Sequence, residues 1–218
     1  MHTINEFLKP HRWAFKGPVR LLYKHSAFQG GRLYTPFQNL PDRSVRLRIN
    51  TRIDGEPIGE VDFSANHLRL NLAINGGIDA GETPYEDIGT EAGGLSREIV
   101  KAFITIALGA NNKTDAASSC RLKKIDNDDF SRLTEAANMV FPKLDLFSGW
   151  GIYAQNLEGQ ILKDVILEGI KRDILCLPVH DAVAVQQEHL DWARDTMLEC
   201  FDRQFDQKGL ARVKVDLP

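Results

Sequence analysis

The chain has 218 residues, of which 43% are hydrophobic and 26% charged, with a net charge of −3. That is enough for one domain of ordinary size burying about 70% of its unfolded surface. No apolar run approaches the roughly 20 residues a membrane helix needs, and "MHTINEFLKPHRW" lacks a signal-type apolar core, so no membrane partner is expected.

Cys120, Cys176 and Cys200 show no CxxC or Cys/His ligand spacing and read as reduced thiols of a cytoplasmic protein. Charge is unevenly spread. Residues 1–52 hold ten Lys/Arg, including Arg43, against Glu6 and Asp42. That segment is +8, leaving −11 for the remainder. A basic segment on an acidic body points to a local anionic partner, although a solvated charged surface is the plainer alternative.

Residues 45–63, "VRLRINTRIDGEPIGEVDF", alternate apolar and polar around Asp54-Gly55 and predict a β-hairpin. Residues 66–74 read as a short helix before a Gly-rich stretch, 76–94. "SREIVKAFITIALG" runs from a plausible N-cap, Ser96, to Gly109 and predicts a helix. Two further helices are expected over 129–141 and 146–170, separated by Pro142. "DILCLPVHDAVAVQ", 173–186, predicts a second hairpin with His180-Asp181 at its bend. An amphipathic helix over 188–206 and a final strand in "ARVKVDL" complete the chain. No repeat or low-complexity linker interrupts it. The order describes an α+β fold, a small antiparallel sheet backed by helices.

Asp62 and Asp181 both stand at a strand exit or bend behind aliphatic residues. Taken singly, each is an ordinary turn former. If their strands are neighbours, the carboxylates converge, and such a pair suits a divalent cation or a shared proton. Mg²⁺ is the natural cation, because it takes oxygen ligands and is commonly completed by substrate phosphates.

The motifs around these residues resemble those of family-A DNA polymerases, in the compact form found in phages and mobile elements. "DFSANHLR" (62–69) is similar to the family's first palm motif, and Val179-His180-Asp181 to its VHD motif. "GRLYTPFQNLP" (31–41) looks like the GRL…QNIP segment. Arg97 and Lys101, four apart, match the fingers helix, and Asn156 and Gln160 a further helix. The resemblance spans roughly residues 30–218. It implies a single polymerase-like domain over 1–218, with a palm at approximately 30–75 and 145–218. Reduced helical fingers would occupy approximately 76–144, behind a basic N-terminal arm, 1–29.

The implied activity is template-directed nucleotidyl transfer by a DNA-directed DNA polymerase extending a primer with deoxynucleoside triphosphates. Asp62, Asp181 and the Phe63 carbonyl would hold two Mg²⁺ ions, with Mn²⁺ as an alternative. Residues at i and i+4 share a helix face, so Arg97 and Lys101 would both meet the triphosphate, Lys101 also protonating the leaving group. Arg32, Gln38, Asn156 and Gln160 would touch the primer–template, and His180 would support the primer terminus. Basic residues of the N-terminal arm would add salt-sensitive phosphate contacts.

The chain also departs from the family pattern. Leu108-Gly109 stands near where Tyr-Gly is usual, Thr105 where a stacking ring is expected, and Ala182 where Glu commonly follows the second Asp. His67 replaces a Glu that blocks the ribose 2′-OH, which implies that ribonucleotides are admitted as well. Only about 30 residues precede the recognisable part, which predicts low processivity and no proofreading from this chain alone. The chain reads either as a complete minimal enzyme or as one piece of a longer or multi-subunit assembly, in which an additional subunit is one source of thumb function. Two other readings compete. One is a non-catalytic nucleic-acid-binding polymerase relative; the other is an unrelated metal-dependent phosphohydrolase, which leaves Arg97 and Lys101 without a purpose.

Overall fold

The computed structural model describes residues 1–24, 26–42 and 44–218. In chain order the elements are α1 (His2–Leu8), β1 (Arg20–Tyr23), β2 (Gly30–Tyr34), β3 (Arg52–Ile53), β4 (Glu56–Phe63), α2 (Asn66–Gly76) and α3 (Pro84–Glu91). There follow α4 (Arg97–Gly109), α5 (Lys113–Leu122), α6 (Asn127–Val140), α7 (Gly151–Lys171), β5 (Leu177–Val179), β6 (Ala182–Gln186), α8 (Leu190–Phe205) and β7 (Val213–Asp216). The α+β class with antiparallel sheets is as the sequence led us to expect. No helix among the described residues is long and apolar enough to cross a membrane.

The chain divides into two compact units, one of Met1–Ser64 with Gln155–Pro218, the other of Ala65–Ala154. In the first, β4 is the hub of the main sheet. Antiparallel β6 pairs with residues 58–62 of β4, β7 with 60–63, and β3 with 56–57. The short β5 completes the sheet beside β6. Strand alternation sorts the side chains. Val61, Val183 and Phe63 lie on one face, where the Phe63 ring meets Phe201 of α8 at 5.7 Å. Gly59 belongs to that face too, and Leu190 of α8 fills the space a side chain would take. The opposite face carries Glu60, Asp62, Lys214 and Asp216, matched across β4 and β7 as Glu60 with Asp216 and Asp62 with Lys214.

A second, two-stranded sheet joins β1 to β2. It falls in residues 20–34, for which the sequence reading gave no strand. Helix α1 and its sequel are tied down: Asn5 donates to and accepts from the Val19 backbone, while His11 and the Arg12 N–H meet the Asp54 carboxylate. Much of the basic surplus is matched internally. Lys9 pairs with Glu6, Arg32 with Glu158, Arg46 with Asp216, and Arg48 with Glu60 and Asp42. Arg43 lies outside the described residues.

The second unit is helical. Leu68, Leu72, Ile88, Val100, Phe103, Ile104, Leu108, Phe130 and Leu133 form its core. Buried Arg69 holds the chain after α2 through Asp79 and the Gly81 carbonyl. Asp126 caps α6, its carboxylate accepting from the Asp128 and Asp129 N–H groups.

Several expected boundaries shift for local reasons. Residues 45–51 form turns, not a strand arm, because the Asp42 carboxylate and the Pro41 and Asp42 carbonyls take up the backbone donors of Arg46–Ile49. The Gly-rich stretch 76–94 holds α3, which starts at Pro84, a residue suited to a first helical turn. Residues 146–150 are not helical: Phe147 and Gly149 have positive φ, and α7 starts at Gly151. Helices α1 and α5 were missed.

Candidate active site

Strand β4 ends where Ala65 takes a left-handed conformation, φ 51°, and turns the chain out of the sheet. Asp62 is therefore left near the strand exit. Ala182 of β6 lies opposite it on one side and Lys214 of β7 on the other. Val179 pairs with Ala182, so His180 and Asp181 form a two-residue bend. The Asp181 carbonyl accepts a 3.4 Å hydrogen bond from the Phe63 N–H. The bend is thus stitched to the strand end that carries Asp62. Phe63 itself contributes backbone here, its ring being buried against Phe201.

Tight two-residue hairpins require positive φ, and His180 supplies it at φ 56°. Among non-glycine residues histidine tolerates this region better than most, yet the position is strained. His180 is exposed at the bend. Its pKa lies below the ordinary histidine value: partial desolvation of the ring is the main cause, Arg32 and Arg48 add to it, and Glu158 and Asp62 pull the other way. The imidazole is neutral at pH 7. The folded chain binds this proton less readily than the unfolded one. Its contribution to stability is therefore whole above about pH 6.5 and lost as pH falls through the lowered folded value. Between pH 7.5 and 5.5 the urea midpoint should fall further for the natural protein than for His180→Asn; equal falls would contradict this assignment.

Arg32 on β2 forms a bidentate pair with Glu158 of α7 at 2.9 and 3.3 Å, and the Glu158 side chain is only 1% exposed. Asn156 is also buried; its amide donates to the Ala27 carbonyl at 3.0 Å and accepts from Gln160. Gln38 sits in a 3-10 turn, Pro36–Asn39, capped by Thr35, whose hydroxyl reaches the Pro178 carbonyl before the bend. Gln38 is 3% exposed, and neither end of its amide has a hydrogen-bond partner among the described residues. Asp62, Phe63, Asp181, His180, Arg32, Gln38, Asn156 and Gln160 thus all belong to the first unit.

His67, Arg97 and Lys101 belong to the second. His67 lies in the first turn of α2, beside Asn66, whose buried amide has no partner at either end among the described residues. Arg97 opens α4, over the Tyr85 ring and 3.0 Å from Glu86, with exposed Lys101 one turn on. A cation in the first turn opposes the helix dipole, so Arg97 is not there to stabilise α4.

Four participants escaped the sequence reading. Glu158 carried no signal beyond its place between Asn156 and Gln160, and the Arg48–Glu60 pair none at all. Lys214 was legible in principle: alternation in "VKVD" sets it apart from Val213 and Val215, but its partner depends on the β4–β7 register.

No protein-family model matches the chain, and none of the curated proteins does. Among solved structures it is similar to the "POL domain of Pol1 from M. smegmatis complex with DNA primer-template and dNTP". The identity is 15% and the TM-score 0.56, over 87% of this chain. The likeness is one of fold, to part of that domain. The chain spans 45% of the length of that neighbour.

The donor set can be judged on its chemistry. Two carboxylates and a backbone carbonyl are hard oxygen ligands, suited to Mg²⁺ or Mn²⁺. The thiols are no competitors: burial raises Cys120 and Cys200 to about 11 and Cys176 further. No group of three or more His, Cys, Asp or Glu able to hold a metal occurs among the described residues. Two carboxylates and a carbonyl leave coordination positions that waters or other oxygen ligands would fill.

Proposed function

We propose that the protein is a template-directed nucleotidyltransferase, a DNA polymerase of family-A type that extends a primer with nucleoside triphosphates. The observation that carries this is the stitching of the Asp181 bend to the end of the strand bearing Asp62, within a polymerase-domain fold. Asp62, Asp181 and the Phe63 carbonyl would hold two Mg²⁺ or Mn²⁺ ions. When bound, such ions stabilise the attacking and leaving oxygens of an in-line displacement. Arg97 and Lys101 serve the triphosphate, where an N-terminal helix cation attracts anionic oxygens, and Lys101 donates the proton to the leaving pyrophosphate.

Arg32, Gln38, Asn156 and Gln160 support the primer–template without reading its sequence. The unpartnered Gln38 amide is consistent with a ligand-completed role, since buried amides are rarely left unpaired. A strained, non-glycine His180 at the bend supports a functional demand for that side chain, here at the primer terminus.

A second reading, a non-catalytic nucleic-acid-binding relative, is favoured by one feature: Lys214 already pairs with Asp62. A labelled primer–template incubated with each dNTP or rNTP and Mg²⁺ or Mn²⁺ separates the two. Template-dependent extension, lost in Lys101→Ala or slowed at least about a hundredfold, supports the enzyme. Salt-sensitive binding without extension supports the binder.

Sugar choice is a finer part of the proposal. With His67 in place of a blocking carboxylate, the ratio of rNTP to dNTP incorporation should drop at least about tenfold in His67→Glu. Equal ratios in the two proteins would remove His67 from sugar selection.

A further inference from the structure

Three acidic residues share one face of the sheet, and each has its own cation. Glu60 is held by the guanidinium fork of Arg48 at 2.6 and 3.0 Å, with both side chains largely buried. Asp216 is held by Arg46 at 3.1 Å, and that arginine also donates to the Leu217 carbonyl. Asp62 differs. Its partner is a lysine, Lys214, with Nζ 3.0 Å from Oδ2 and 65% of the side chain exposed, against 28% for Asp62. The pairing follows from register, since Lys214 stands directly opposite Asp62 across β4 and β7.

Lysine presents a compact charge on a flexible stem and lacks the planar fork that would fix a carboxylate in place. Exposed pairs of this kind are weak and screened by salt. The buried bidentate Arg48–Glu60 pair therefore builds the face, and Arg46 is anchored by a second bond to the Leu217 carbonyl, whereas the lysine pair, on a flexible stem, can open.

We infer that Lys214 is a displaceable internal counterion of Asp62, which compensates that carboxylate before metal binds and competes with the divalent cation for it. The inference rests on the reading of Asp62 and Asp181 as metal ligands. It makes Lys214 a positioning residue that sets the cation concentration at which the site loads. Opening the pair frees Asp62 Oδ2 for the ion and leaves the ammonium free to swing into solvent. A site tuned in this way stays shut at low cation concentration.

The test is titration of Mn²⁺ alone into the full chain, followed by the electron paramagnetic resonance signal of free Mn²⁺. Lys214→Met should tighten binding roughly two- to fivefold, the range expected for releasing an exposed pair. Lys214→Gln, which keeps a polar tip, should do nearly the same. Lys214→Arg, which retains the charge and adds a fork, should bind no more tightly than the natural protein. Unchanged or weaker binding in both neutral variants, with binding still abolished by Asp62→Asn, would overturn the counterion role and leave the metal site standing. If Asp62→Asn and Asp181→Asn bind Mn²⁺ as the natural protein does, the metal site itself falls, and the role of Lys214 with it.

Discussion

Asparagine in place of Asp62 or Asp181 is expected to reduce primer extension by about a thousandfold, with little change in folding. The substitution keeps the shape of the side chain and removes the charge that a hard divalent cation requires. At Asp62 the structural loss is small. It is an exposed pair with Lys214, worth about 0.2–1 kcal/mol, and the bond from the Phe63 N–H to the Asp181 carbonyl is made by backbone and is kept in both variants. Extension kinetics beside thermal melting make the comparison. A variant that melts like the natural protein yet has lost extension places the defect in the chemistry. Near-normal extension by either variant would remove that residue from catalysis. On the proposed function the two carboxylates act as a unit, so the double variant should be scarcely slower than either single one.

A comparable effect on stability is expected at Gly159. This residue lies on α7 between Glu158 and Gln160, and an added Cβ would stand 2.0 Å from the Gly31 carbonyl oxygen and 2.9 Å from its carbon. The obstacle is backbone, which cannot swing aside as a long side chain can. Gly31 is equally constrained, with φ +83° and the Asn156 amide 2.9 Å from where its own Cβ would be. Helix α7 and the β1–β2 hairpin thus meet backbone to backbone, and that approach lets Arg32 reach buried Glu158. Gly159→Ala should cost about 3 kcal/mol, toward the upper end for overpacking, and should weaken duplex binding as Arg32 is pushed from Glu158. Gly109→Ala is the control, because a Cβ there meets nothing within 4 Å. A Gly159→Ala protein that melts with Gly109→Ala and the natural chain would show that the helix and hairpin are not so close.

Asp62, Asp181 and Gly159 also show what the sequence makes legible. Asp62 and Asp181 stood out because alternation and turn chemistry mark strand ends locally, and two hairpins with carboxylates at their exits are visible without a fold. The Asp54-Gly55 turn, α4 and the His180-Asp181 bend all follow from short-range rules of that kind. Gly159 was invisible: inside a helical pattern a glycine is only a weak residue, and its reason lies in Gly31, more than a hundred positions away. Glu158 and Lys214 share that fate, since each is defined by a partner that only tertiary register supplies. The β1–β2 hairpin was hidden because Gly30-Gly31 and the Arg20–Tyr23 stretch give no clean alternation. In residues 45–51 the opposite happened. Good alternation was overridden by Asp42, whose carboxylate and carbonyl take up donors a strand would have used.

On the proposed function, Asp62 and Asp181 share divalent metal ions at the point of nucleotidyl transfer. Crystals grown with a primer–template, a non-hydrolysable nucleoside triphosphate and Mn²⁺ test it through anomalous scattering from the metal. Mn²⁺ is expected bound jointly by the Asp62 and Asp181 carboxylates and by the triphosphate oxygens, with Lys214 turned away from Asp62. Mn²⁺ found only elsewhere, or bound by the triphosphate with neither aspartate in contact, would contradict it.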